Sequence, residues 1–280
     1  MARRSSITEL RKKPVPHSRS VVRSIYRYPV KGFSPQKLNR SILMPGKTIA
    51  GDRMFAIENG PSGFDAQSPA HIPKTRFLNA MQNERVAAMK TTFDDASHIL
   101  TIQFHDRELV RGDLRTTEGR ATIEEFITRH FGRELRGPPK IVSAAGHSFS
   151  DVGENVVSII NLASVSALQK ELGIPVDPLR FRGNIYVDGW PPWHEATLVG
   201  RELALGPTAC VRVVARINRC AATNVDPESG VRNLNIPATL MRMFGHVECG
   251  VYASVTEAGE IATEDLVETR PRLPLEVSQP

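Results

Sequence analysis

The chain has 280 residues, 40% apolar and 24% charged, which is ample for a real core and excludes a chain too polar to fold. Its net charge of +6 suggests a nucleic-acid binder until the charges are located. Six basic side chains and one acid fall within residues 1–20 and the remainder balances to within one charge, so no nucleic-acid partner is expected. Residues 1–18 lack the apolar stretch of a secretory signal, and Pro14 and Pro16 interrupt any amphipathic helix. They are expected to be a disordered basic tail. No apolar run approaches the roughly 20 residues that span a bilayer. Cys210, Cys220 and Cys249 form no CxxC pair and no disulfide framework, which fits a reducing, cytoplasmic compartment.

Residues 20–30 alternate apolar and polar side chains and predict a strand that ends at Tyr28-Pro29-Val30-Lys31-Gly32. Residues 38–44 predict a second strand. The Gly46-Lys47-Thr48 that follows is not a P-loop, since Ser41 stands where that loop needs glycine. Asp52-Arg53 leads into a third strand at 54–57, and residues 59–73, rich in Gly, Pro and Ser, should be a loop. Residues 85–93 and 98–104 read as a hairpin. Ile123, Phe126, Ile127 and Phe131 form one helical stripe over 120–132, with Gly132 as the stop. Gly137-Pro138-Pro139 suggests a hinge between two halves, 19–140 and 141–275.

Residues 156–160 predict a short buried strand. Asn161 then caps a helix carrying Leu162, Val165, Leu168 and Leu172 on one face, closed by Gly173. Residues 180–187 read as extended, so Arg180 and Arg182 should point the same way and could clamp a phosphate. Trp190 to Trp193, with two prolines, predicts a rigid surface turn. Strands are expected at 197–205, 210–217, 249–253 and 265–269, with a short helix at 234–244. The fold class is therefore mainly β with a few short helices.

The apolar run from Cys210 gives out at Ile217, and Asp226-Pro227-Glu228-Ser229-Gly230 is a cluster of turn formers. Between them, Cys220 falls just past a strand end, beside Arg219 and two alanines. A lone cysteine is more often a small buried hydrophobe, but one beside a cation and within reach of solvent can also serve as a thiolate, the form that binds soft metals. Both readings stand on the residues alone.

Arg219-Cys220, Thr223 and Val225-Asp226-Pro227 with Ser229-Gly230 resemble the signature of the MOSC domain family, the molybdenum-cofactor sulfurase C-terminal domains. That family includes the mitochondrial amidoxime-reducing component. Tyr28 to Gly32 is similar to the opening of the family's N-terminal barrel, and Asn161-Leu162-Ala163-Ser164-Val165 to the start of its second domain. The resemblance implies a MOSC β-barrel joined to an N-terminal MOSC-type β-barrel. It implies Cys220 as the protein ligand to molybdenum, Lys31 facing the cofactor and Arg53 near its phosphate. The family's usual proline after the second arginine is here Gly183, a departure expected to loosen the loop while leaving Arg182 and Asn184 in place. Its Gly-Asp pair before the last strand is replaced by Thr263-Glu264-Asp265.

The implied cofactor, a pterin dithiolene with a phosphate, needs a soft ligand, cations and polar groups. Cys220 is the soft ligand. Lys31, Arg53, Arg182 and Arg219 are the candidate cations, and Asn155, Asn184 and Thr223 the hydrogen-bonding groups. The implied activity is an oxidoreductase that reduces N-hydroxylated or S-oxidised small molecules. No cysteine follows Cys249, so no iron–sulfur cluster is built into the chain after it. Electrons are expected from a separate ferredoxin- or flavin-type reductase. Two rivals remain at this stage: sulfur transfer through a Cys220 persulfide, and cofactor carriage without catalysis.

Overall fold

The computed structural model describes residues 19–105 and 107–271, so the expected basic tail lies outside the described residues. Among the described residues the fold is mainly β with three short α-helices. In the first half come β1 (Val21–Arg27), β2 (Gln36–Leu38), β3 (Arg40–Leu43), β4 (Ala56–Ile57), β5 (Lys90–Phe93), β6 (Ile99–Phe104) and β7 (Arg107–Asp113). Then follow α1 (Thr117–Phe131), β8 (Ile141–Val142), β9 (Val157–Asn161), α2 (Leu162–Leu172), β10 (Ile185–Asp188) and β11 (Glu202–Leu205). The last elements are β12 (Ala209–Asn218), α3 (Ile236–Phe244), β13 (Glu248–Glu257), β14 (Gly259–Ala262) and β15 (Val267–Thr269).

Eight strands form one sheet in the order β15-β11-β12-β13-β9-β10-β1-β2, curled into a half-barrel. All its pairs are antiparallel except β9 with β10. The curl has a local cause. The register of β12 against β13 slips at three places, and each bulge bends the bulged strand and sharpens its twist. Val157, Ile159, Val187, Val211, Val213, Val251 and Ala253 fill the concave core together with Val22, Ile25 and Leu43 from the chain's beginning. A second core gathers Phe33, Phe93, Leu100, Ile102, Ile127 and Phe131 between the β5-β6-β7 sheet and α1.

The large core draws on both ends of the chain while the second lies within residues 30–141, and the strands cross the same division. β1 lies between β10 and β2, and β3 pairs with β14. Gly137 packs against Gly60, and the Asn59 side chain accepts the Arg136 N–H at 2.8 Å, so the expected hinge is a close-packed joint.

Several elements differ from the sequence reading. The strands expected at 85–93 and 197–205 each give way at their start to a 3-10 turn, at 84–88 and 194–198, and β7 and β14 were not expected as strands at all. β7 reads Arg-Glu-Leu-Val-Arg-Gly-Asp and buries no side chain fully, so it lacks the alternation that marks a strand. Trp190 sits in the large core, and Trp193 packs edge-on against His246 and obliquely on Phe244, while Pro191 and Pro192 between them are exposed, so the turn lies at the surface with both rings turned inward. Among the described residues no helix is long and apolar enough to cross a membrane.

Candidate functional site

The long β12 delivers the site. Two residues beyond its end, Cys220 caps a 3-10 turn, Ala221–Asn224, with extended backbone. Thr223 closes that turn: its N–H and its hydroxyl both donate to the Cys220 carbonyl, at 3.1 and 2.9 Å. The sulfur is left half-buried at the wall of a cleft of about 370 Å³. Lys31, Arg53, Arg182, Asn184, Arg219 and Thr223 line the same cleft. Asn155 does not: its amide donates to the Gly46 carbonyl at 3.1 Å.

Sharing a cleft is not the same as being free to bind. Arg219, expected beside the sulfur, turns to the backbone instead. Its Nε donates to the Cys249 carbonyl and its Nη1 to that of Phe181, both at 2.7 Å, and its plane lies over the Phe181 ring. It ties the end of β12 to β13. Asn184 is buried and satisfied: its oxygen accepts the Ser158 N–H and hydroxyl, and its amide donates to the Tyr26 carbonyl. That amide bridge pins β9, β10 and β1 to one another.

The cation that does reach Cys220 is Lys74. It sits in a 3-10 turn, Lys74–Arg76, and its ammonium donates to the sulfur at 3.4 Å and to Asp151 Oδ2 at 3.2 Å. The other oxygen of Asp151 takes a 2.6 Å bond from Lys31. Lys31 is buried and also donates to the Phe149 and Ser150 carbonyls, at 2.8 and 3.3 Å. Burial lowers the Lys31 pKa, with Asp151 opposing. For Asp151, whose side chain is 43% exposed, partial desolvation favours the neutral acid, but Lys31, Lys74 and Arg53 outweigh it and hold the carboxyl well below its usual range. Sequence reasoning missed both Lys74 and Asp151. A lysine closing a loop of Gly, Pro and Ser looks like any solvated lysine, and only the fold brings it across 146 residues to the thiol.

Arg53 and Arg182 both have positive φ, and their guanidiniums lie over the Tyr28 ring, 4.9 and 4.4 Å from its centroid. Arg53 is paired with the buried Asp52 and donates through Nη2 to the Arg182 carbonyl. Asp52 also accepts the Tyr28 N–H, so these residues brace one corner. Arg182 is different: its Nη2 is buried without a hydrogen-bond partner. An unpaired buried charged donor is costly, and this one belongs to a residue that lines the cleft.

The expected arginine pair does not form. Arg180 lies in a 3-10 turn, Pro178–Phe181, and binds Asp226, Asn233 and the Asn224 carbonyl, so it stabilises the loop after Cys220. Gly183 does not loosen the segment either. Its N–H donates to the Tyr186 hydroxyl at 3.1 Å, and a Cβ there would stand 2.3 Å from Ile160.

Two family models match the chain: the MOSC domain over residues 128–268 and the MOSC N-terminal beta barrel domain over residues 19–144. The chain belongs to the MOSC family. No curated protein matches it. Among solved structures, the MOSC chain is similar to the YuaD protein from Bacillus subtilis, at 12% identity and a TM-score of 0.42, over 89% of this chain and 94% of that one. YiiM from Geobacillus stearothermophilus is 17% identical with a TM-score of 0.34, over 41% of this chain and 54% of that one. YiiM from Escherichia coli is 20% identical with a TM-score of 0.32, over 42% of this chain and 55% of that one. By the two family models the chain comprises a MOSC domain and a MOSC N-terminal β-barrel domain, and β1 and β2 of the latter lie in the large sheet.

Proposed function

We propose that this chain binds the molybdenum cofactor and reduces N-hydroxylated or S-oxidised small molecules, with electrons from a separate ferredoxin- or flavin-type reductase. MOSC membership makes it a molybdenum-cofactor-related domain, in a family that includes cofactor-binding enzymes. The observation that carries the reading is the half-buried Cys220 thiol sharing a cleft with Arg182, a guanidinium whose buried Nη2 has no hydrogen-bond partner. That donor set fits the group: a soft ligand for the metal, and an unsatisfied guanidinium N–H for an anionic phosphate.

In this reading Cys220 is the metal ligand and Arg182 the first phosphate contact. Arg53 adds charge at the same corner. Thr223 holds the Cys220 carbonyl, and Arg219 and Asn184 hold the strands that frame the cleft. Lys31 acts through Asp151 rather than by direct contact. When bound, the cofactor would supply two-electron redox chemistry at molybdenum. The protein's part is to fix the sulfur's direction, neutralise the phosphate and leave a face of the cleft open to substrate. A reducing, cytoplasmic setting belongs to the same reading, supported by three free thiols.

The test is direct. The chain is purified from a host that makes the cofactor, assayed for molybdenum and pterin, reduced with a viologen dye, and offered hydroxylamines, amidoximes and sulfoxides. Turnover of any class is the expected result. If all are left untouched while Cys220 accepts or donates sulfur, the sulfur-transfer reading takes its place. Stoichiometric cofactor with neither activity would leave a carrier.

A further inference from the structure

Among the described residues, the Lys74 ammonium is the recorded hydrogen-bond partner of the Cys220 sulfur, at 3.4 Å. A lysine stem is flexible and its charge strongly hydrated, so a lysine that merely needs a counterion stays in water. Lys74 does not: its side chain is only 31% exposed, and it bridges the sulfur and Asp151. Its position is set from behind. Lys31, with a side chain only 4% exposed, holds Asp151 Oδ1 and the carbonyls of Phe149 and Ser150. The second carboxylate oxygen is thereby aimed at Lys74. The result is a relay, Lys31 to Asp151 to Lys74 to Cys220, that runs from the N-terminal domain to the thiol.

We infer that Lys74 is a positioning residue for Cys220: it fixes the sulfur's direction through this relay and raises the reduction potential of a metal bound there. The inference rests on the metal-ligand role proposed above. Its physical basis is that a donor bonded to a ligating sulfur withdraws electron density from it and favours the more reduced metal. Arginine at the same place would keep the charge and the donor; methionine would keep only the stem.

The experiment compares full-length wild type, Lys74→Met and Lys74→Arg, each purified from a cofactor-producing host. Molybdenum content and the midpoint potential, from a redox titration followed by electron paramagnetic resonance, are the readouts. Lys74→Met is expected to keep molybdenum within about twofold. Its potential should fall by the equivalent of about a tenfold change in the oxidised-to-reduced ratio, ~59 mV for one electron. Lys74→Arg should recover most of that shift. Normal molybdenum with an unchanged potential in Lys74→Met overturns the inference alone; a wild type without molybdenum overturns the metal-ligand reading and this inference with it. If Lys74→Met loses the metal, the alkylation rate of Cys220 by iodoacetamide in unloaded protein, at one fixed pH, decides. The buried Cys210 and Cys249 are the internal controls. A rate several-fold slower in Lys74→Met and near wild type in Lys74→Arg supports the role, and equal rates in all three overturn it.

Discussion

At the scale of single residues, Cys220, Thr223 and Arg182 meet in one cleft. Cys220, Thr223 and Arg182 were legible because a strand end, a turn cluster and a family resemblance all point at them. Adjacency in sequence says nothing about direction: Arg219, next to Cys220, lines the cleft but donates to the Cys249 and Phe181 carbonyls. The thiol's cation comes instead from a loop that no local pattern singles out. Two predictions belong here. Cys220→Ser should lose molybdenum and turnover together, while Cys210→Ser and Cys249→Ser, both at buried strand positions, should keep them; metal analysis of the three variants checks this. Arg182→Ala should weaken cofactor retention by about 1.5–3 kcal/mol, the usual worth of a charge-assisted hydrogen bond, with activity per bound molybdenum much less affected. It is a cleaner probe than Arg53→Ala, which also strands the buried Asp52 carboxylate and so mixes binding with folding.

At the scale of elements, α2 was legible at both ends. Asn161 accepts the Ala163 N–H, and Gly173 closes the helix in the left-handed region. What no pattern gave is the second job of that asparagine: its amide donates to the buried Glu195 carboxylate at 2.8 Å, beside Ser164. Asn161→Ala should therefore cost more than a cap. About 1 kcal/mol for the cap and about 1–3 for a carboxylate left short of a donor add to roughly 2–4 kcal/mol, read by urea unfolding.

The 149–151 segment carries a pH signature of its own. A carboxyl whose pKa is depressed by folding stabilises the fold above its ordinary range, and that stabilisation is lost as pH falls through the depressed value. Asp151 is such a group, with Lys31 the first of the cations that hold it ionised. Wild type should therefore lose melting temperature on acidification below about pH 4. Asp151→Asn should start lower at neutral pH and lose less, and a matched set of melting curves down to about pH 2 checks the sign. Parallel curves would remove Asp151 from the account.

At the scale of the whole molecule, two sequence regions were legible because a helical stripe and a Gly-Pro-Pro run separate two sets of strands. Their interlocking was not, since strand pairing across more than a hundred residues leaves no local trace. β1 starts the chain yet hydrogen-bonds β10, from Val21 opposite Asp188 to Ile25 opposite Ile185. β3 pairs with β14 along four residues, and Arg27, buried at the end of β1, reaches over to Asp95 in the smaller domain. A fragment spanning 141–275 would expose the β10 edge and remove Val22, Ile25 and Leu43 from the core that holds Val157, Ile159 and Val187. Three such side chains, at about 1.5–3 kcal/mol each, approach the whole stability of an ordinary domain. We therefore expect the 141–275 fragment alone to be insoluble or to show no cooperative melting. Co-expression with residues 1–140 should restore a soluble complex that melts as one unit. A cooperatively folded 141–275 fragment would show that the shared strands are dispensable, and the cleft's cations from the first domain would then have to be tested as an addition to a self-sufficient MOSC domain.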